Sequence, residues 1–300
     1  MSTNKQRRAE SMQRLEKEIK SRDRAEKTKP LGVVALAAVS VIAIVGGIWW
    51  ATTAGNDADD EDVVAESTTD SENTTEDDVD LSSYKRIELK RTTALDDTVT
   101  CTYTKTDNAS RDVSIPDSDN VSATGTVAVT FTTNTGDIDL ELDRSLAPCT
   151  VNAIEHLVDE GYYDNTVCHR MTSGALNVLQ CGDPSGTGSG GPGFQFANEF
   201  PTDDESYAPS TDGSTEGEQV VYPAGTIAMA NSGISSPTNG SQFFLNYKDS
   251  LLMPNYTVFG TIGDTGMKTL QEIAAKGIEN GATDGAPAEE VTIKSATVNT

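Results

Sequence analysis

Hydrophobic positions change their rhythm along this chain, and each rhythm predicts a different element. Residues 1–29 carry only a thin apolar stripe, Met12, Leu15 and Ile19, among charges. Glu16 with Lys20 and Glu18 with Arg22 stand at i,i+4 in the favourable order, which predicts a charged helical segment. Residues 31–50, LGVVALAAVSVIAIVGGIWW, then run for twenty positions with no charge and one serine. That length crosses about 30 Å of hydrocarbon at about 1.5 Å per residue. A signal peptide, cleaved near Ala51 or Ala54, is the alternative, but its apolar core would be roughly 7–15 residues. A soluble core helix would show a polar stripe, and none is present. The run ends in Trp49-Trp50, which suits an interfacial anchor. Residues 31–50 are therefore expected to form one transmembrane helix.

Beyond the span the apolar rhythm stops. Residues 51–80 hold twelve acidic residues, many Ser and Thr and no aromatic, so they cannot bury enough surface to order themselves and read as an extended linker. Residues 81–123 are an ambiguous extension: positions 84–89 suit a short strand, and Cys101 sits in the alternating TVTCTYT. Regular alternation begins near Gly125. TVAVTFTTNTGDIDLEL reads as two strands around an Asn134-Thr135-Gly136-Asp137 turn. Val151, Ile154, Leu157 and Val158 then recur at helical spacing, predicting a helix from Thr150 that stops at Gly161. Short strands between Gly-rich loops follow, then a second helical run at GMKTLQEIAAKG and a terminal strand in EEVTIKSATVN. Many short strands with two helices predict an all-β domain over residues 124–300, a closed antiparallel barrel with helical caps.

Charge sharpens this organisation. Residues 1–29 contain ten Lys/Arg against five Asp/Glu, and the remainder 12 against 42, so a net +5 segment precedes a net −30 body. Positive residues before the span place the N-terminus in the cytoplasm and everything after it outside, as a single-pass membrane protein. The acidity excludes nucleic acid as a partner, because affinity there comes from neutralising phosphates. Cys101, Cys149, Cys168 and Cys181 all fall on the outer side, where disulfides persist, and three pairings are open to them. Neither cysteine nor histidine spacing fits a metal site, so no metal is expected. The glycine-rich run at 182–193 lacks the Lys-Ser/Thr of a phosphate loop, and the domain's two histidines, His156 and His169, belong to no nucleophile motif.

Three segments carry the candidate chemistry: CHRM at 168–171, LQCGDPSGTGSGGPGFQF at 179–196, and TIAMANSG with TNGSQFFL between 226 and 245. In order and approximate spacing, with Val258-Phe259-Gly260 beyond them, they resemble the cyclophilins, the peptidyl-prolyl cis/trans isomerases, over about residues 125–299. APCT and LQCGDP are similar to the subgroup tethered outside bacterial membranes. The resemblance implies an eight-stranded barrel, no cofactor, and proline-containing polypeptides as substrates, among them exported or cell-envelope proteins. It implies that Arg170 is the catalytic arginine and that Gln180 lines the same groove. Ala230 and Asn231 match the strand that pairs with substrate backbone; Gln242, Phe244 and Leu252 match the groove glutamine, the floor of the proline pocket and a further wall. His169, next to Arg170, is then expected to be a buried, hydrogen-bonded core residue.

The sequence also departs from the family. Two extra residues lie between Arg170 and Gln180, Asn177 stands where a pocket phenylalanine is usual, and Val178 replaces a methionine. A polar wall there would weaken proline binding by about 1–3 kcal/mol. That keeps a second reading open, a proline-recognition module with little turnover. Leu251 replaces a usual tryptophan and Tyr256 a usual groove histidine, changes that imply weak cyclosporin binding. If Arg170 and Gln180 share one face of a hairpin, Cys168 shares it too while Cys181 points away. That parity disfavours Cys168 with Cys181 and favours Cys149 with Cys181 and Cys101 with Cys168.

Overall fold

The structure is a computed structural model that describes residues 80–107, 109–207, 218–232 and 238–299. The basic segment, the apolar run 31–50 and the linker to residue 79 lie outside the described residues. Among the described residues no helix is long and apolar enough to cross a membrane.

Two long strands, β4 (Thr126–Thr133) and β5 (Asp137–Asp143), form the expected hairpin. Their alternation decides the inner face: Val127, Val129 and Phe131 pack inward with Ile138, Leu140 and Leu142. Three short strands precede them, β1 (Thr98–Val99), β2 (Thr104–Lys105) and β3 (Val121–Ser122). After β5 comes helix α1 (Pro148–Asp159), which starts two residues before the expected Thr150. Proline suits the first turn because its missing N–H would have no intrahelical partner there. The N–H groups of Cys149 and Thr150 are instead taken by the buried Glu199 carboxylate, at 3.0 and 2.8 Å.

The chain continues through β6 (Thr166–Val167), β7 (Arg170–Thr172), β8 (Val178–Cys181), β9 (Phe194–Gln195), β10 (Val220–Tyr222) and β11 (Thr226–Met229). It closes with β12 (Phe243–Asn246), β13 (Ser250–Leu252), β14 (Val258–Ile262), helix α2 (Asp264–Ala275), β15 (Asp284–Gly285) and β16 (Thr292–Asn299). Ten of these strands form one curled sheet in the order β15-β7-β8-β12-β11-β14-β5-β4-β16-β6. The expected closed, eight-stranded barrel is corrected here. The edges β15 and β6 do not pair, and the ladder is interrupted between β6 and β7, where Cys168 and His169 belong to neither strand. Cys168 still bonds to Val291 (2.8 Å), whereas Arg170 already pairs with Gln180 on the other side of the seam. Phe131, Tyr163 and Phe243 fill the hollow of the sheet, with Phe131 and Phe243 stacked at 5.3 Å.

The same interruption overturns the disulfide expectation. The bonds are Cys101–Cys149 and Cys168–Cys181. Neither Cys149 with Cys181 nor Cys101 with Cys168 forms. Strand parity holds only within a strand, and Cys168 lies outside β7, so its side chain is free to meet Cys181 across 4.0 Å between Cα atoms.

Residues 81–123 pack on the sheet as an added belt. Ile87 is buried and joins Val221 by a backbone bond of 2.9 Å. Arg86 forms a bidentate pair with Asp249, and Asp204 accepts from both the N–H and the hydroxyl of Thr92. The strand read at 84–89 reduces to a single bridge at Arg86, and TVTCTYT to the two short strands flanking Cys101.

Candidate active site

Arg170 lies directly opposite Gln180, Gln180 opposite Phe244, and Phe244 opposite Ala228, across the four adjacent strands β7, β8, β12 and β11. Directly opposed residues point to the same face, so this row stands on the outside of the sheet. The adjoining row, Met171, Leu179, Leu245 and Ile227, is buried in the core. Phe243 likewise points inward while Phe244 points out.

The polar half of the row is tightly ordered. Arg170 Nη1 donates to Gln180 Oε1 at 3.1 Å. Arginine can only donate, so the Gln180 oxygen must face it, and its amide nitrogen must face the other way. That nitrogen donates to Gln242 Oε1 at 3.0 Å, and Gln242 Nε2 in turn donates to the carbonyls of Gly188 and Gly190. On its other side Arg170 gives Nε and Nη2 to the Asp284 carboxylate, at 2.8 and 2.7 Å. The pairing holds the guanidinium above, and the Asp284 carboxyl below, its ordinary range.

The apolar half adjoins it. Phe244 is 5 % exposed and meets the edge of Tyr256 at 5.6 Å between ring centres. Val178 is buried beside it in β8, and Leu252 is half-buried in β13. A cleft of about 330 Å³ opens next to the row, lined by Gln180, Gln242, Ala230, Asn231, Phe194 and the glycine-rich loop. Ala230 N–H bonds to the Gln242 carbonyl (2.9 Å), and Asn231 Nδ2 to the Asn255 carbonyl (2.9 Å), so both cleft residues are fixed from behind. Hydrogen bonds join Arg170, Gln180 and Gln242, Phe244 lies opposite Gln180 and touches Tyr256, and Ala230 and Asn231 line the cleft with the two glutamines, whereas Leu252 stands on β13, which pairs with β10 outside the ten-stranded sheet.

The glycine-rich loop is pinned from two sides. Asp183, fully buried, accepts from Gly190 N–H and from Ser185. Burial opposes its ionisation, but these hydrogen bonds outweigh that and hold its pKa down. Gly182 cannot be another residue: its φ is +95°, and a Cβ would lie 2.3 Å from the Ser241 carbonyl oxygen. From outside, the belt runs β2 along β9 and bonds Thr106 and Ser110 N–H to the carbonyls of Gly193 and Gly191, each at 2.8 Å. Tyr103 sets its ring against Phe194 and Phe196 and donates its hydroxyl to the Cys149 carbonyl.

Two residues differ from their expected roles, and a third had none. Asn177 does not present a polar wall: its side chain bonds to Gly174 N–H, Gly174 O and Asp249 O, and lines a separate cavity of about 730 Å³ beside α2. His169 is half-buried rather than a bonded core residue; its Nδ1 is enclosed without a partner, and burial lowers its pKa although Asp183 opposes this. Asp284 was not visible in the sequence at all. It lies in a Gly- and Ala-rich loop with no motif, and only the β7–β15 register brings it to Arg170. Among the described residues no cluster of His, Cys, Asp and Glu is placed to hold a metal ion.

A family model described as cyclophilin type peptidyl-prolyl cis-trans isomerase/CLD matches residues 128–298. A probable peptidyl-prolyl cis-trans isomerase B of Mycobacterium leprae is 50% identical over 200 residues, covering 66% of this chain and 66% of its own. The corresponding Mycobacterium tuberculosis protein is 52% identical over 170 residues, covering 56% of this chain and 53% of its own. The chain thus spans about two thirds of the first relative and about half of the second. The crystal structure of a Cryptosporidium parvum cyclophilin type peptidyl-prolyl cis-trans isomerase overlays with a TM-score of 0.43 at 28% identity, over 59% of this chain and 99% of that one.

Proposed function

Because this chain belongs to the cyclophilin type peptidyl-prolyl cis-trans isomerase family, we propose that it turns prolyl peptide bonds in polypeptide substrates, with Arg170 as the catalytic group. The observation that carries this reading is the row on the sheet's outer face: a fixed guanidinium, a bridging glutamine and an aromatic floor. Isomerisation breaks no bond. It needs the C–N bond to lose double-bond character against a barrier of about 20 kcal/mol. As the prolyl nitrogen pyramidalises it becomes a hydrogen-bond acceptor, and an N–H already aimed at it lowers the barrier without reorganising. Arginine serves better than lysine because its planar fork is rigid and permanently charged. Phe244, Tyr256, Leu252 and Val178 supply apolar surface for the proline ring, while the backbone at Ala230 and Asn231 is placed to hold the flanking chain. No cofactor enters this chemistry.

The alternative, a proline-recognition module with low turnover, rested on a polar Asn177 in the pocket wall. With that side chain spent on its own loop, the enzyme reading is favoured. The test is isomerisation of a prolyl tetrapeptide. Arg170→Ala should lower kcat/KM by about 10²-fold or more, as removal of one aimed donor does. An Arg170→Ala protein as active as wild type refutes the assignment.

The proposal extends to location: a single-pass protein whose isomerase domain lies outside the membrane and acts on exported or cell-envelope proteins. Residues 31–50 and the +5 to −30 charge step support it, and the two disulfides suit an oxidising compartment. Protease added to intact spheroplasts should digest the domain; full protection until lysis would refute the orientation.

A further inference from the structure

The guanidinium of Arg170 is held by more than its groove neighbour. β15 runs antiparallel to β7 with Asp284 opposite Thr172, which places the Asp284 side chain diagonal to Arg170 on the same face. Arg170 therefore sits in the middle of three strands, with Gln180 opposite on one side and Asp284 across the other. β15 is itself fixed. Ser173 N–H bonds to the Thr283 carbonyl at 2.9 Å, Glu279 N–H to Ala286 at 2.9 Å, and Ala288 N–H to Gly277 at 3.0 Å, so the loop is tied to both β7 and the end of α2.

Resting on the reading of Arg170 as the catalytic group, we propose that Asp284 is its positioning residue, clamping the guanidinium plane so that its remaining N–H bonds face the groove. Guanidinium has five N–H donors. Two go to Asp284 through Nε and Nη2, and one goes from Nη1 to Gln180. One N–H on each terminal nitrogen is left for substrate. Two parallel bonds to a carboxylate fix a plane as well as a distance, which a single acceptor cannot do. The side chains are 38% and 55% exposed, so the pair is not a stability device: exposed ion pairs contribute little to folding. Its geometry nevertheless selects one orientation of the group. The carboxylate also damps the net charge at the site. That cost is tolerable because the twisted prolyl nitrogen requires a directed donor more than a bare cation.

The consequence is specific to turnover. Misplacement of a catalytic group by about 1 Å lowers rate by up to about 10²-fold. Asp284→Ala should therefore reduce kcat on a prolyl tetrapeptide by about 10- to 100-fold while KM stays within about twofold. Asp284→Asn, which keeps one acceptor, should fall between this and wild type. The Arg170 Nε–H, bonded to Asp284 at 2.8 Å, should give a slowly exchanging resonance in the wild type that broadens or vanishes in Asp284→Ala with the amide spectrum otherwise retained. Arg170→Ala run in parallel separates the two claims. If it retains activity, the proposed function fails. If it is inactive while Asp284→Ala keeps kcat within twofold or exceeds wild type, or leaves the Nε–H resonance unchanged, the positioning role alone is overturned.

Discussion

Cutting the Cys101–Cys149 disulfide, by Cys101→Ala with Cys149→Ala, tests how the belt is joined to the sheet. The two cysteines are 48 residues apart, with β2, β3, β4 and β5 between them. Closing a loop of that length removes about 4 kcal/mol of chain entropy from the unfolded state at 25 °C, against about 3 kcal/mol for the 13-residue separation of Cys168–Cys181. In a domain of this size, 1 kcal/mol corresponds to about 2–4 °C in Tm, so the double variant should melt about 8–16 °C lower. The belt should not detach in the folded state. Ile87, Arg86 and Thr92 hold its first half independently of the disulfide, and Tyr103 and Ser110 hold the second. Near-ultraviolet circular dichroism measures the melting. Hydrogen exchange at Ile87 and Val221 should match wild type at 25 °C. A Tm loss under about 2 °C would refute the entropic reasoning, and free exchange at those amides would show that the disulfide holds the belt in place.

Acid should loosen the belt. Burial raises the Asp204 pKa, but bonds from Ser206 and Thr92 outweigh it, and Asp249 is held low chiefly by Arg86; both lie below the ordinary 3.8. A depressed carboxylate contributes stability above its unfolded pKa and loses it as pH falls through the folded value. The urea midpoint should thus drop as pH falls below about 3.8, and less steeply there in Asp204→Asn than in wild type; equal slopes for the two proteins between about pH 4 and pH 3 would contradict this. Tyr103→Ala removes the ring from Phe194 and Phe196 and should cost about 3 kcal/mol by urea unfolding, with a raised KM as the cleft wall relaxes. Tyr103→Phe, which loses one hydroxyl network, should cost about 1 kcal/mol and leave KM alone; an Ala variant with wild-type KM would disconnect belt from groove. Cyclosporin should bind weakly by titration calorimetry, given Leu251 and Tyr256 in place of the usual tryptophan and histidine, and a tight complex would count against that.

What was legible in the residues, and what was not, divides along physical lines. Alternation and turn chemistry exposed the β4–β5 hairpin and both helices, because those patterns are local: a buried face repeats every second residue or every third and fourth. The groove residues were legible for another reason. Each sits within a short run whose order matches the family, and the β7-β8-β12-β11 register needs only their parity to align them. The errors share one source, contacts between chemically ordinary residues far apart in sequence. Parity failed for Cys168 because β6 and β7 are separated by two residues outside either ladder, a break that no alternation announces. Asn177 was read as a pocket wall by position in a run, yet its amide turned to Asp249, 72 residues away. The belt is anchored through isolated residues such as Arg86 and Thr92, whose partners lie 163 and 112 positions away. Asp284 is the strongest case: an aspartate in a loop, 114 residues from Arg170, has no reason to be noticed until the sheet curls. The side chains proposed to turn or bind substrate are thus named by local runs here, whereas those proposed to hold them in place are named by register. Variants that alter turnover without touching the groove should therefore be sought on β15 and on the belt.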